Sequence, residues 1–376
     1  MRVPRLPRAA VLAMAAGAAV TTAGLSVASP ALASPHSPFL GRFHHRTTIA
    51  STVPGNGDLN PYGVAVVRRS QGRLHRGDVL VSNFNDKANL QGTGRTIVEV
   101  SPAGHVTQFA RVAKSGLPGA CPGGIGLTTA LAVVHGWVVV GSLPSANGMA
   151  ATARAGCLLV LDSRGRVRET IAGHGINGPW DMTAVSYGRR AALLVTNVLN
   201  GAVAGHGAVV HRGTVLRLNL GFPGHRAPVL RGVTKIGSGF AEQTNAAAFV
   251  LGPTGVGLGR HGTLYVADTA ENSVRAIPAA LGRHASAGTG ALVTAGGALS
   301  SPPGLAIAPG GDVLTVNGGN GKIVETTPAG AQIATRFLDR AGSPPGNGAL
   351  FGLAVAPHGR GIYYVDDAVN TLRLFH

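Results

Sequence analysis

Acidic side chains are scarce in this chain of 376 residues, where 15 Asp and Glu stand against 32 Lys and Arg. Charged residues of all kinds make up 12%, aromatics 5%, and only two residues are cysteine. Each shortage excludes something. With so few charges beside 45% hydrophobic residues, most of the chain is not disordered. Long amphipathic helices, which need a charged outer face, are hard to find. Aromatics are rarely interleaved with the scattered arginines, so a base-stacking platform is not built and nucleic acid is not an expected partner. There is no Gly-x-Ser-x-Gly elbow, no phosphate-binding glycine loop before a helix, and no Cys–His pairing that would signal a nucleophile.

What the chain has instead is 57 Gly and 23 Pro, the mark of many short strands joined by tight turns. At the start, Arg2, Arg5 and Arg8 precede an apolar run over 9–27, and Ala31-Leu32-Ala33 sets small residues at −3 and −1. That layout predicts a secretory signal peptide over 1–33, cleaved after Ala33, and hence a secreted protein. No cysteine lies near the cleavage point to carry a lipid anchor, and no later segment is apolar enough to predict a membrane span. A flexible segment over 34–45 and a single domain over 46–376 are expected to follow.

Removing the leader lowers the formal net charge of +17 by three arginines, leaving a strongly basic chain. The partner this fits is an anionic cell-envelope ligand, a glycan or an unidentified protein; a general arginine bias of the source explains the charge as well. The mature chain is read as a monomer. Cys121 and Cys157 are the two candidates for one disulfide in an exported protein.

Six segments superpose on one another. They begin at Pro61-Tyr62-Gly63, Pro122-Gly123-Gly124, Pro179-Trp180-Asp181, Pro253-Thr254-Gly255, Pro302-Pro303-Gly304 and Leu350-Phe351-Gly352. In each, apolar residues then alternate with Gly, Ala or Thr, the period of a strand. A second strand follows every time and ends on a small polar residue: Asn83, Ser142, Asn197, Asp268, Asn317 or Asp367. Third and fourth strands come next, except that the last repeat runs out after its third. The missing strand is supplied by 46–53. The fold predicted is therefore all-β, a six-bladed β-propeller of four-stranded antiparallel blades with its ring closed by the N-terminal strand, which leaves no open sheet edge.

The stretch Gly262-Thr263-Leu264-Tyr265-Val266-Ala267-Asp268 followed by Glu271-Asn272-Ser273-Val274-Arg275 resembles the strand–Asp–turn–Asn–strand core of NHL-repeat propellers. Residues 361–372 repeat it closely and 312–324 more loosely. That resemblance implies that the blade-joining loops share one face with the loops between second and third strands. The extra length of the chain lies there, over 84–95, 143–156, 199–213, 237–249 and 341–349. A binding face on that side and a non-catalytic, ligand- or protein-binding module follow as the expectation. The six-bladed gluconolactonase-like propellers are a more distant likeness and imply a lactonase-like, divalent-metal-assisted hydrolase or lyase as the alternative. Their cation is held partly by a Glu near the chain start. Here no Glu precedes Glu99, and only Asp58 lies near the first repeat. The zinc-binding lyases with a related ring use inner-strand histidines, whereas His174, His206, His211, His225 and His261 fall in loops.

One position breaks the repeat. Five segments place Gly at the start of the inner strand, and the third places Asp181. Its carboxyl is expected near the channel mouth, where burial would raise its pKa or a cation such as calcium would be recruited. Asp181 is thus the candidate catalytic group, and Asp181, Asn197, Asp268 and Asn245 are the candidate metal ligands. Tyr62, Trp180 and Phe351 precede it or its equivalents, and with Asp181 they form the candidate ligand-binding set. Aromatics ringing a channel suit a flat apolar or sugar-like ligand, with packing beneath the insertion loops as the alternative reading. The small polar residues that end the second strands recur in every repeat, which points to backbone capping.

Overall fold

Alternating Val and Leu with small residues between Gly- and Pro-bearing turns gives strands of three to seventeen residues and almost no helix. The structure, a computed structural model, describes residues 37–113, 115–224 and 226–376. The expected leader over 1–33 and its cleavage after Ala33 lie outside the described residues, as does His225. Among the described residues no helix is long and apolar enough to cross a membrane.

Six antiparallel sheets form a six-bladed propeller. The first blade comprises Leu59–Val66, Val79–Asn85, Thr96–Val100 and Val106–Arg111, from the axis outward. The second is Leu127–Val134, Trp137–Ser142, Cys157–Leu161 and Val167–Ile171. In the third, Gly178–Tyr187, Arg190–Val198 and Val210–Gly221 lead to a long fourth strand, Val229–Asn245. That strand runs on to pair with Phe249–Leu251, so the insertion expected over 237–249 is a hairpin. Pro253–Leu258, Leu264–Asp268, Ser273–Ile277 and Ala291–Ala295 build the fourth blade, and Gly304–Ile307, Val313–Val316, Lys322–Thr326 and Gln332–Phe337 the fifth. The sixth takes Leu350–Val355, Ile362–Asp366 and Thr371–Phe375 from the C-terminus and Arg46–Ser51 from the N-terminus. Ring closure by the N-terminal strand is as the repeat predicts.

Neighbouring inner strands approach backbone to backbone. A β-carbon on Gly304 would strike the carbonyl oxygen of Phe351, and one on Gly352 the carbonyl oxygen of Tyr62. Glycine stands at these positions because nothing larger fits. Hydroxyl groups then tie blade to blade. Ser82 Oγ donates to the Thr128 carbonyl at 2.6 Å, Thr128 Oγ1 to Pro179 at 2.8 Å, and Thr196 Oγ1 to Thr254 at 2.6 Å.

Three expectations need correction. The segment expected to be flexible, 34–45, is docked from Pro38 onward. Phe39–Arg42 form a 3-10 turn, Phe39, Leu40 and Phe43 are buried, and the compact unit starts at Pro38 rather than at 46. The reason is Glu325, whose buried carboxylate accepts the N–H of Phe39 at 2.7 Å and of Leu40 at 2.8 Å. The second inner strand is Leu127–Val134, not 122–127, and the pairing of Leu131 with Val140 puts Ala130 where Gly124 was expected. Cys121 therefore lies in the loop before that strand; it is nonetheless bonded to Cys157 at the start of a third strand. In the sixth blade the register pairs Leu350 with Asp366, so Asp366 rather than Asp367 ends the second strand.

Candidate functional site

Each inner strand is the last strand of its sheet, so its free edge of N–H and C=O groups is turned to the central axis. The six edges enclose a channel of about 440 Å³. Val64, Leu131, Met182, Val256, Leu305 and Leu353 belong to its wall, and among the described residues the only charged ones lining it are Asp181 and Arg68. Exposure increases along the inner strand from Asp181 and Met182, which are buried, through half-buried 183–185 to exposed Ser186. The channel therefore opens at the C-terminal ends of the inner strands, on the face of the strand-one-to-two hairpins, with Asp181 at its floor. The expectation of Asp181 beside a mouth on the insertion-bearing face is reversed.

Side-chain packing explains the reversal. The insertion-bearing end is closed by an aromatic cluster in which Tyr62 stacks on Phe84 at 4.7 Å and on Phe351 at 4.1 Å. Phe249 meets Phe84 edge-on at 5.3 Å, and Trp180 lies 5.8 Å from Tyr62. Leu143, Ala150 and Ala202 from the insertion loops cover this cluster. Tyr62 is 1%, Trp180 2% and Phe351 8% exposed, so these three residues form a plug and not an open aromatic ring for a ligand. Phe84 and Phe249 complete it, and neither occupies the repeat position from which the other aromatics come.

Asp181 is 9% exposed. Its Oδ1 accepts the Met182 N–H at 2.8 Å and its Oδ2 the Val256 N–H at 3.1 Å, while its own N–H donates to Thr196 Oγ1 at 3.1 Å. Burial pushes the carboxyl up to about 8 despite the two amides, which favour the charged form. At neutral pH it is mostly protonated and can donate a proton or a hydrogen bond into the channel.

The four candidate metal ligands are not brought together. Asn197 Oδ1 takes the N–H groups of Asn177 and Gly178 at 2.8 and 3.1 Å, and its Nδ2 donates to Gly175 and Thr214. Asp268 Oδ1 accepts the Glu271 N–H at 3.3 Å, and Asn245 Oδ1 accepts those of Ala247 and Ala248. Each is engaged with local backbone. Asp181 has no second carboxylate or amide oxygen beside it in the channel wall. Asp181 is thus the one carboxylate that the described channel wall offers to a cation such as calcium.

Among the described residues a different trio holds metal-ligating atoms together, on the first blade: His75, Asp78 and Glu99. His75 Nδ1 lies 3.8 Å from Asp78 Oδ2 and 3.6 Å from Glu99 Oε1. The Glu99 oxygen also accepts the His75 N–H at 2.8 Å. Burial raises the pKa of both carboxyls, and His75 opposes the shift. One nitrogen and two carboxylates suit a borderline ion such as zinc better than calcium. The sequence reading missed this trio and Arg68. The available signal was the run of charges in 68–78, where Arg68, Arg69, Arg73, Arg76 and Asp78 surround His75 in one hairpin turn.

No family model matches the chain, and no curated protein matches it; the NHL resemblance rests on the repeat residues alone. Solved six-bladed propellers do match in fold. A gluconolactonase from Xanthomonas campestris is 14% identical, with 88% of each chain covered and a TM-score of 0.52. A calcium-binding protein, regucalcin, from Agrobacterium tumefaciens is 13% identical over 89% of this chain and 93% of its own, at a TM-score of 0.53. A luciferin-regenerating enzyme is 11% identical over 88% and 96%, at 0.54.

Proposed function

We propose that this protein is a small-molecule hydrolase or lyase of lactonase type, working in the central channel with Asp181 as its acid–base group. The observation that carries the reading is the buried Asp181 carboxyl at the floor of a channel whose other charged lining residue, among those described, is Arg68; burial pushes that carboxyl up to about 8, and a proton donor with a pKa near neutrality is the most effective. The fold is one that carries lactone hydrolysis in the gluconolactonase named above, an argument by analogy. In the reaction water adds to the ester carbonyl and the ring C–O bond breaks. Asp181 gives its proton to the departing oxygen and recovers one from the attacking water. The free edge amides of the inner strands are placed to hold the carbonyl and hydroxyl oxygens of such a ring.

The channel floor offers a divalent cation a single carboxylate, Asp181, and no step is routed through one. If a metal serves this protein, His75, Asp78 and Glu99 would hold it, outside the channel wall. The Cys121–Cys157 disulfide is consistent with an oxidising compartment, and export through the 1–33 leader is part of this proposal.

The test is a panel of γ- and δ-lactones and aryl esters assayed with wild type, Asp181→Asn and Asp181→Ala, with and without chelation. Expected are turnover that falls above pH 8 as the acid is lost, and a loss of roughly 100-fold or more in kcat/KM for both variants. Chelation should leave the rate unchanged. No turnover across the panel, or full activity in Asp181→Asn, would overturn the reading.

A further inference from the structure

The charge of this protein is sorted by face. Among the described residues, the turns joining first to second and third to fourth strands hold eleven arginines and three aspartates. The connections on the opposite face hold four basic residues and five acidic ones. The basic face is the one at which the channel opens. On it, Arg68 lines the channel directly and has no hydrogen-bond or ion-pair partner among the described residues. Arg68 lies five residues along the strand from the level of Asp181, roughly 16 Å of extended chain.

We infer that the ligand of the channel is an organic acid, held by its carboxylate or phosphate at Arg68 while its neutral, oxygen-bearing end reaches Asp181. The inference rests on the channel as the working site proposed above and narrows its substrate class. Three features fix the polarity. No cation lines the channel below Arg68, so an anion has nothing to pair with deeper in. The floor group is an acid, which an anionic end would repel and a neutral oxygen would satisfy. The arginine-rich face, walled by low-dielectric protein around a narrow opening, concentrates anions at the mouth. A cationic or fully neutral ligand gains nothing from this arrangement.

Equilibrium binding tests the idea without catalysis. The probes are ω-hydroxyalkanoates of six to twelve carbons, the α,ω-diols of the same lengths and the corresponding amino alcohols, titrated by calorimetry. Hydroxy acids should bind about tenfold more tightly than diols of matched length at low salt, an advantage that shrinks between 20 and 200 mM salt. An optimum in chain length is expected, since the span between the two groups is fixed. Arg68→Glu should abolish the advantage. Arg283→Glu, on the same face but in a turn at the blade periphery, should leave most of it. Equal affinity for acid and diol, or no effect of Arg68→Glu, overturns the inference; an equal loss in both variants does so too, in favour of diffuse surface attraction. The two readings fail separately. Hydroxy-acid binding through Arg68 without ester turnover keeps this inference and removes the enzyme. Turnover that depends on Asp181 but ignores substrate charge does the reverse.

Discussion

Asp181 and Val256 are joined across two blades, carboxylate Oδ2 to backbone N–H at 3.1 Å, at the point where the inner strands of the third and fourth blades run side by side. The other inner strands meet at this level through glycine or alanine. Here a side chain spans the gap and satisfies a strand-edge amide that would otherwise be turned to the channel. The bond fixes the carboxyl in place, while burial between the inner strands raises its pKa against the opposing pull of this same amide.

Stability should therefore depend on pH through this residue. A carboxyl whose pKa rises from 3.8 to about 8 on folding keeps its proton in the native state where the unfolded chain has lost it. Its contribution is complete below about pH 4 and disappears progressively as pH rises to about 8. The upper bound is on the order of 5 kcal/mol. Glu242 and Asp367, both raised to about 7 by burial, slope the same way, so the difference between variant and wild type is the quantity to measure. Asp181→Asn should be less stable than wild type at pH 5 and gain on it steadily to pH 8.5 in urea unfolding. Parallel curves across that range would show that the carboxyl is not protonated in the fold.

Removing the disulfide should cost about 2–4 kcal/mol, given a separation of 36 residues between Cys121 and Cys157. The effect should be local. In the double Cys→Ala variant, hydrogen exchange should speed up over 112–126 and the start of the Cys157–Leu161 strand, and change little in the fifth blade.

Glu325→Ala should free the segment that precedes the ring. Two buried N–H groups would lose their acceptor, a penalty of about 1–3 kcal/mol each, and Phe39 and Leu40 would be released from the fifth and sixth blades. Trypsin should then cut after Arg42 well before it cuts elsewhere. Resistance equal to that of wild type would mean that the apolar contacts of Phe39, Leu40 and Phe43 hold the segment without the carboxylate.

Gly304→Ala should destabilise by several kcal/mol. The added methyl group meets the Phe351 carbonyl oxygen on one side and side chains of Val316 and Leu353 at 2.9 and 3.0 Å on the other, with no room to rotate away. Gly55→Ala, with open space around its β-carbon, is the control and should change thermal stability by less than a degree or two.

The architecture was legible because its signals repeat. A strand pair seen six times, with Gly at the crowded inner position and a polar residue at the second strand's end, specifies a ring even where individual strands are ambiguous. The same logic found the closing strand, while the disulfide followed from there being two cysteines in the chain. It failed where local pattern imitated the repeat: Gly123-Gly124-Ile125-Gly126 alternates like an inner strand but belongs to the loop that carries Cys121. The site was half legible. Asp181 stands out as the single break in the Gly series, yet the face it serves depends on which end of the axis is filled. That is decided by Phe84 and Phe249, which come from a second strand and a hairpin and share no repeat position with Tyr62, Trp180 and Phe351. Docking of residues 38–45 depends on Glu325, about 285 residues away, a pairing that no periodicity announces.

The closing strand also sets a schedule. Arg46–Ser51 has no partner in the chain until Thr371–Phe375 exists, so the first strand of the ring to be made is among the last to be paired. During synthesis its edge stays open while five blades assemble, and every shortened chain lacking the final residues carries that edge unpaired. The ring closes only where both strands are present, so chains cut short before Thr371 should be recognisable by aggregation or by proteolysis at 46–51.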